Sequence, residues 1–207
     1  EHLHACQQQL PLVAILRGLT PAEAPAIGQA LTQAGFGLLE VPLNSPQPLD
    51  SIAALAAQHP EQLIGAGTVM CAADVSYVQA AGGRLIISPH FDGEVVHEAL
   101  RLGLACMPGV ATPSEALAAL RAGAHALKLF PAEMIGPPVV KALRAELPPT
   151  VPLLPGGGIT PDNMATYRQA GASGFGIGSA LYRPGRSAEQ TAQAAQAFIA
   201  AWRATGA

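Results

Sequence analysis

One pattern recurs along almost the whole chain of 207 residues: a short apolar run ends in glycine, proline or a polar residue, and an alanine-rich amphipathic segment follows. Short apolar runs bounded by breakers are typical of buried parallel strands, and the amphipathic segments are typical of helices that cover them. The predicted strands are 12–17, 37–44, 63–69, 84–88, 104–108, 126–132, 151–155 and 174–177. Strict alternation of strands and helices predicts a parallel sheet with helices outside it.

Helix starts and stops support this reading. Thr20 and Thr112 are each followed by proline and, three positions on, by glutamate, which predicts an N-cap and capping box. The predicted helices are 21–35, 48–59, 72–81, 94–102, 113–123, 138–146, 161–171 and 188–203. Eight units predict a parallel (β/α)8 TIM barrel in a single domain, 1–207, in which 1–9 is a tail or short helix. The alternative is a doubly wound open sheet, which often carries GxGxxG after its first strand, where this chain has Gly18-Leu19-Thr20.

Composition excludes several classes of protein. Hydrophobic residues make up 50% of the chain and charged residues 12%, and the net charge is -3 with basic residues scattered, so we expect no nucleic-acid partner. No apolar run approaches the roughly 20 residues that span a bilayer, and the N-terminus lacks the pattern of a signal peptide. The three cysteines, Cys6, Cys71 and Cys106, have no CxxC spacing and are interpreted as free thiols. We therefore expect a cytoplasmic protein.

Lys128 lies in the middle of the sixth predicted strand. Burial disfavours the charged form of a lysine and lowers its pKa, which is how a lysine becomes a nucleophilic amine. The only other lysine, Lys141, falls in a helical pattern where a solvated head is expected. A strand lysine can also reach water from an edge, so this stretch alone leaves both readings open.

Alternation along two strands places Lys128 and a carboxylate on the same side of the sheet. Glu40, in the second strand, alternates with Leu39, Val41 and Leu43, and Lys128 is flanked by two leucines. Because the outer face of a barrel packs on helices, the leucines are predicted to face outward and Glu40 and Lys128 inward. The pair then suits a Schiff-base nucleophile with a general acid/base, although Glu40 could merely neutralise Lys128 or Arg17.

Glycine-rich turns follow the last two predicted strands. Gly156 to Gly158 follow the seventh, and Gly176 to Ser179 follow the eighth. Barrels often bind phosphate at these loops, where glycines let backbone N–H groups approach the oxygens. The alternative is that both are ordinary turns. No metal site is predicted, because His90 alone among the histidines follows a strand and no second ligand is spaced to join it.

These residues, with their neighbours, resemble the 2-keto-3-deoxy-6-phosphogluconate/galactonate aldolase family over about residues 10–203. The motifs that carry the resemblance are 15–18 (ILRG), 40–45 (EVPLNS), 65–69 (GAGTV), 127–132 (LKLFPA) and 157–161 (GGITP). The resemblance implies metal-free and cofactor-free cleavage of a phosphorylated 2-oxo-3-deoxy sugar acid to pyruvate and glyceraldehyde 3-phosphate. It also implies a homotrimer.

The resemblance assigns roles to particular residues. Lys128 would form the imine and Glu40 would shuttle protons. Arg17 and Thr68 would hold the pyruvate end, and the glycine loops with Ser179 would hold the phosphate. The substrate-binding set predicted in this way is Arg17, Asn44, Thr68, Phe130, Gly157, Gly158, Gly178 and Ser179.

Two details bear on which substrate is preferred. The 40–45 motif is similar to the galactonate branch, whereas the gluconate branch tends to carry an arginine where this chain has Asn44. Gly156 stands where the family often has threonine or valine near the C4 hydroxyl, which implies a more permissive pocket. The chain could therefore prefer 2-dehydro-3-deoxy-6-phosphogluconate or accept both epimers. Remoter alternatives are a metal-dependent sugar-phosphate epimerase and a non-catalytic phosphometabolite-binding barrel.

Overall fold

The computed structural model describes residues 2–206, and residues 1 and 207 of the predicted domain lie outside this range. All strand pairs are parallel. The strands are β1 (Leu12–Ile15), β2 (Leu38–Pro42), β3 (Leu63–Gly67), β4 (Leu85–Ile87), β5 (Ala105–Met107), β6 (Gly109–Val110), β7 (Leu127–Leu129), β8 (Leu153–Pro155) and β9 (Phe175–Ile177). The helices are α1 (His2–Gln9), α2 (Ala24–Ala34), α3 (Pro48–Gln58), α4 (Ala72–Ala80), α5 (Gly93–Arg101), α6 (Pro113–Arg121), α7 (Pro137–Glu146), α8 (Met164–Gln169) and α9 (Ala188–Ala204).

The strands form two sheets. Six of them form a curled sheet in the order β5-β4-β3-β2-β1-β9, and the other three form a sheet in the order β6-β7-β8. The last strand therefore pairs with the first, and the order lacks the reversal that defines a doubly wound sheet. The fold is a parallel α/β architecture in which the large sheet forms half of a barrel.

Hydrogen bonds link the two sheets at both ends. On one side, Lys128 N donates to Pro108 O at 3.0 Å and His125 N donates to Cys106 O at 3.0 Å. On the other side, Ser173 N donates to Leu153 O at 2.8 Å, and Gly156 forms a parallel bridge with Gly176. Strand β7 thus runs beside the β5–β6 segment, and β8 runs beside β9.

The fifth predicted strand differs from expectation. It is divided into β5, which pairs with β4, and β6, which pairs with β7. The two are separated by Pro108, which has no N–H group to donate to a ladder, although its carbonyl still accepts from Lys128. The prediction of one strand over 104–108 was wrong in its C-terminal limit for this reason.

Helix starts follow the capping signals with one correction. Thr112 and Glu115 form a reciprocal capping box at α6, and Ser187 and Gln190 form another at α9. Thr20 and Glu23 also bond to each other, but turns occupy 21–23 and α2 begins only at Ala24. Thr20 is therefore not the N-cap of the helix.

The core has two parts, which correspond to the two faces of the strands. The outer part lies between strands and helices and includes Leu39, Val41, Leu127 and Leu129. The inner part comprises Leu3, Cys6, Val13, Leu38, Leu63, Leu85, Ile87, Met107, Ala126 and Leu154. The prediction that the leucines flanking Glu40 and Lys128 face the helices is confirmed.

Helix α1 contacts the sheet at the beginning of its strands. Leu3 and Cys6 enter the inner core, and a Cβ built at Gly37, just before β2, would lie 3.5 Å from Cys6 Sγ. The His2 ring bonds to Glu61 O at 3.0 Å, just before β3. Helix α1 therefore covers the N-terminal ends of the strands, and the carboxyl ends point the other way.

Candidate active site

Lys128 and Glu40 are buried in the interior of the sheets. Glu40 is 1% exposed and Lys128 is 7% exposed. Both line a narrow cavity of about 10 Å³ together with apolar side chains from β1, β4, β5 and β8 and with Gly176. This volume is at the lower limit of what one water molecule requires. An amine and a carboxyl group therefore share one small, largely apolar space.

The two groups face each other without forming a close ion pair. Within residues 2–206, no ion pair of 4.0 Å or less involves Glu40 or Lys128, and Glu40 Oε2 is buried without a hydrogen-bond partner. The Lys128 nitrogen lies 4.9 Å from the centroid of the Phe130 ring. Glu40 is therefore not in direct contact with a cation, although the positive charges of Lys128 and Arg17 still act on it.

Burial decides the protonation of both groups. It lowers the pKa of Lys128, and the positive charge of Arg17 lowers it further, although the negative charge of Glu40 acts in the opposite direction. Burial likewise raises the pKa of Glu40, against the charges of Lys128 and Arg17. The amine is thus shifted toward its neutral, nucleophilic form, and the carboxyl group toward a form that can hold and return a proton.

Gly67 makes room for the Glu40 carboxylate. A Cβ at this position would overlap both carboxylate oxygens. Gly67 ends β3 and pairs with Pro42, two residues beyond Glu40 on β2. The sequence motif 65–69 thus contains Gly67, whose lack of a side chain leaves the space that the Glu40 carboxylate occupies.

A polar cluster joins the ends of β1, β2 and β3. Arg17 donates from Nη1 to Asn44 Oδ1 at 2.6 Å and to Thr68 Oγ1 at 3.4 Å. Thr68 has a φ of 55°, in the left-handed region that a β-branched residue rarely adopts. Nearby, Gly18 N donates to Ser45 Oγ at 3.0 Å. The cluster fixes the Arg17 guanidinium at the carboxyl ends of the strands, where a carboxylate could bind it.

A larger cavity of about 580 Å³ opens beyond Lys128. Of the predicted residues, Arg17, Lys128, Phe130, Gly157, Gly158, Gly178 and Ser179 line it. Asn44 and Thr68 do not line the cavity, but both contact Arg17, which does line it. Ile15 and Lys128 line both cavities, so the amine lies at the boundary between them.

The glycine turns present backbone to this cavity. Gly157 and Gly158 have φ values of 100° and 64°, which favour glycine, and a Cβ at Gly178 would meet no atom within 4 Å. A Cβ at Gly156 would lie 3.4 Å from Lys128 Cε, an ordinary contact distance. The first turn therefore adjoins the amine on one side and the cavity on the other.

Sequence reasoning missed four polar residues of this cavity: Glu133, Thr160, Tyr182 and Arg183. Glu133 follows the 127–132 motif directly, and Arg183 lies four residues after Ser179. Their closeness to motifs was the available signal. Loop side chains have no period that predicts their direction, so the signal was weak.

Potential metal ligands do not gather in the described part of the chain. No group of three or more His, Cys, Asp or Glu residues there could hold a metal ion. His90 is exposed, as expected for a loop residue.

None of the helices in residues 2–206 has the length and apolar character that a membrane crossing requires.

A buried lysine at the carboxyl ends of parallel strands lies beside a buried carboxyl group and a glycine-lined cavity, an arrangement that suits the class of lyases. The model of the KDPG and KHG aldolase family matches residues 3–196, and the chain belongs to this family of aldehyde-lyases.

Known relatives agree with this assignment. The 2-dehydro-3-deoxy-6-phosphogalactonate aldolase of Escherichia coli K12 is 48% identical over 198 residues, which cover 95% of this chain and 97% of the relative. A solved structure described as native KDPGal has a TM-score of 0.93 and 47% identity, over 95% of this chain and 96% of the other. A more distant one, KDPG aldolase from Legionella pneumophila with pyruvate captured as a covalent carbinolamine intermediate, has a TM-score of 0.81 and 28% identity, over 95% and 97%.

Proposed function

We propose that this protein cleaves 2-dehydro-3-deoxy-6-phosphogalactonate into pyruvate and D-glyceraldehyde 3-phosphate through a Schiff base on Lys128. The observation that carries the proposal is the pair of buried groups, Lys128 and Glu40, facing one cavity. Support also comes from the family and from the names of its relatives, including one that holds pyruvate covalently.

The first half of the reaction forms the imine. The neutral Lys128 amine attacks the C2 carbonyl carbon of the substrate and gives a carbinolamine. Glu40 passes a proton to the C2 oxygen through a water molecule, and water departs to leave an iminium. The iminium is the electron sink for the next step.

The second half breaks the carbon–carbon bond. Glu40 accepts the proton of the C4 hydroxyl while the C3–C4 bond breaks and its electron pair moves into the iminium. Glyceraldehyde 3-phosphate leaves, and an enamine of pyruvate remains on Lys128. Protonation at C3 and addition of water then release pyruvate and the free amine.

The remaining contacts are proposed to position the substrate. Arg17, held by Asn44 and Thr68, binds the carboxylate next to C2. Phe130 packs against the substrate beside the amine. The backbone N–H groups of Gly157, Gly158, Gly178 and Ser179 bind the phosphate, as glycine turns beside helix starts do in many barrels.

The C4 epimer preference follows from two observations that point in different directions. Two relatives at 48% and 47% identity are named as 2-dehydro-3-deoxy-6-phosphogalactonate aldolases, which favours that series. Gly156, whose Cβ would contact Lys128 Cε, leaves space beside the reacting carbons. We therefore propose that the gluconate epimer is accepted as a second, poorer substrate.

The test is mass spectrometry after incubation with pyruvate and sodium borohydride. We expect one pyruvyl adduct, mapped to Lys128. Lys141, an exposed residue on α7 and the only other lysine, is the internal control and should stay unmodified. Lys128→Arg should abolish turnover because a guanidinium stays protonated, whereas Lys141→Arg should be fully active. A folded protein without the adduct would contradict the Schiff base and favour a binding barrel.

We also propose that the two sheets close into one (β/α)8 barrel and that three chains assemble into a homotrimer. The links between β7 and the β5–β6 segment and between β8 and β9 support closure. The exposed side chains of Met70 and Tyr77 are candidates for burial between subunits. Light scattering should give about three times the chain mass of 21.1 kDa, and a monomer would contradict the trimer.

A further inference from the structure

Glu133 lies directly against the first glycine turn. It follows β7 in the loop that leads to α7, and its side chain covers Gly157 and Gly158. A Cβ built at Gly157 would lie 2.5 Å from Glu133 Oε2, and one built at Gly158 would lie 3.0 Å from Glu133 Cγ. The carboxylate therefore occupies the space that side chains at these two positions would fill.

This carboxylate is the anion in a cavity whose other charged groups are cations. Arg17, Lys128 and Arg183 line the same cavity of about 580 Å³. Within residues 2–206, no cation lies within 4.0 Å of Glu133 in an ion pair. Glu133 is exposed, so its side chain can change its conformation in water.

The negative charge of Glu133 affects the pKa of the nearby residue Tyr167. Burial raises the pKa of Tyr167, and the negative charge of Glu133 raises it further. The Tyr167 hydroxyl donates to Ala132 O at 2.8 Å, one residue before Glu133, which ties the backbone of this loop in place. The loop is thus anchored while the carboxylate at its surface remains uncompensated.

We propose that Glu133 sets the affinity for the substrate by weakening the binding of phosphate at the glycine turn of residues 156–158. The inference rests on the proposed function, in which the substrate phosphate binds there. A phosphate that approaches the Gly157 and Gly158 N–H groups comes close to a carboxylate of the same sign and is repelled by it. The repulsion acts equally on the phosphate of the substrate and of the product glyceraldehyde 3-phosphate, so it limits affinity and favours product release. It does not act on pyruvate, which has no phosphate.

The test variant is Glu133→Gln, which removes the charge at constant shape. The control is Glu146→Gln at the exposed end of α7, which changes the net charge by the same amount but lies outside the cavity. The probe is inorganic phosphate as a competitive inhibitor of cleavage. In Glu133→Gln the inhibition constant of phosphate and the KM of the phosphorylated substrate should both fall about threefold to tenfold at low salt, and the effect should shrink as salt is added. Neither constant should change in Glu146→Gln, and the rate of borohydride trapping with pyruvate should be the same in all three proteins.

A second variant, Glu133→Asp, retains the charge and should keep phosphate affinity within about twofold of the original protein, because charge and not shape sets the effect. An unchanged inhibition constant in Glu133→Gln would overturn the inference, and so would weaker phosphate binding, which would make Glu133 a brace for the turn. Failure of phosphate to inhibit the original protein would overturn it as well. Failure of the proposed function is a different result, namely no pyruvyl adduct on Lys128 in the original protein.

Discussion

At the scale of single residues, the site depends on side chains that are missing as much as on those that are present. Glu40 can place its carboxylate in the interior only because residue 67 has no Cβ, and the Lys128 side chain has an open neighbour at residue 156. Gly67 ends β3 whereas Glu40 is on β2, and Gly156 follows β8 whereas Lys128 is on β7. Substitutions at these two positions should therefore affect catalysis in separate ways.

Gly67→Ala should displace the Glu40 carboxylate. A positioned general acid/base supplies about 10²–10⁴-fold in rate, so we expect kcat to fall by about 10²-fold or more. Steady-state kinetics on protein whose circular dichroism is unchanged is the measurement. Gly93→Ala is the matched control, since its added Cβ would lie no closer than 3.9 Å to Phe91 Cζ. Full activity of Gly67→Ala would show that the Glu40 carboxylate can act from a different position.

Gly156→Val should increase discrimination between the C4 epimers. Its Cβ would make an ordinary contact with Lys128 Cε, so the amine can stay in place while the branched side chain fills the space beside C4. Small steric differences in a pocket change kcat/KM by about 10–200-fold. The ratio of kcat/KM for the two epimeric substrates should thus rise at least tenfold over that of the original protein. Equal ratios would mean that this space does not select the epimer.

Sequence patterns predicted the residues on strands better than those in loops. Period-two alternation assigned Glu40 and Lys128 to the interior because each is flanked by residues that must pack on helices. Glu133 and Arg183 lie in loops, where no period applies, and only the three-dimensional structure brings them to the cavity. The need for glycine at position 67 depends on where the carboxylate of another strand points, which local sequence does not encode.

At the scale of elements, helix α1 contributes to stability and is remote from the chemistry. Leu3 and Cys6 complete the inner core at the beginning of the strands, while the cavity opens at the opposite ends. The sequence predicted only a tail or short helix over residues 1–9. Its apolar contacts come from strands distant in the chain.

Leu3→Ala should destabilise the protein and leave kcat unchanged. Leu3 is 6% exposed, and truncation of a buried leucine costs about 2–5 kcal/mol of the free energy of unfolding. Urea unfolding measures this loss, and Gln9→Ala, at an exposed position of the same helix, should cost less than about 0.5 kcal/mol. A loss of kcat in folded Leu3→Ala would instead indicate coupling between the two ends.

At the scale of the whole molecule, burial of the Glu40 carboxyl group lowers global stability. Burial raises the pKa of Glu40 in the folded state above its ordinary value of 4.5. Between that value and the raised one, the folded protein binds the proton more tightly than the unfolded chain does, so stability falls as pH rises through this window. Above the window the folded protein bears the full cost of a buried charge.

Glu40→Gln should therefore be slower but more stable, by about 1 kcal/mol or more at neutral pH. The difference in the free energy of unfolding between the variant and the original protein should be small below pH 4.5 and should grow as pH rises. Urea unfolding at several pH values measures it, and Glu146→Gln, at an exposed position, should show no such trend. A variant that is less stable at neutral pH would mean that the Glu40 charge is compensated in the folded state.

The pairing of the first strand with the last has a consequence for synthesis on the ribosome. Strand β1 ends at Ile15, and its partner β9 begins at Phe175, so one edge of β1 stays open while roughly 160 residues are added. At about 5–20 residues per second this takes roughly 10–30 s. During that interval the nascent chain presents an apolar edge that can pair with another nascent chain, and the pairing of β1 with β9 has to wait until translation nears its end.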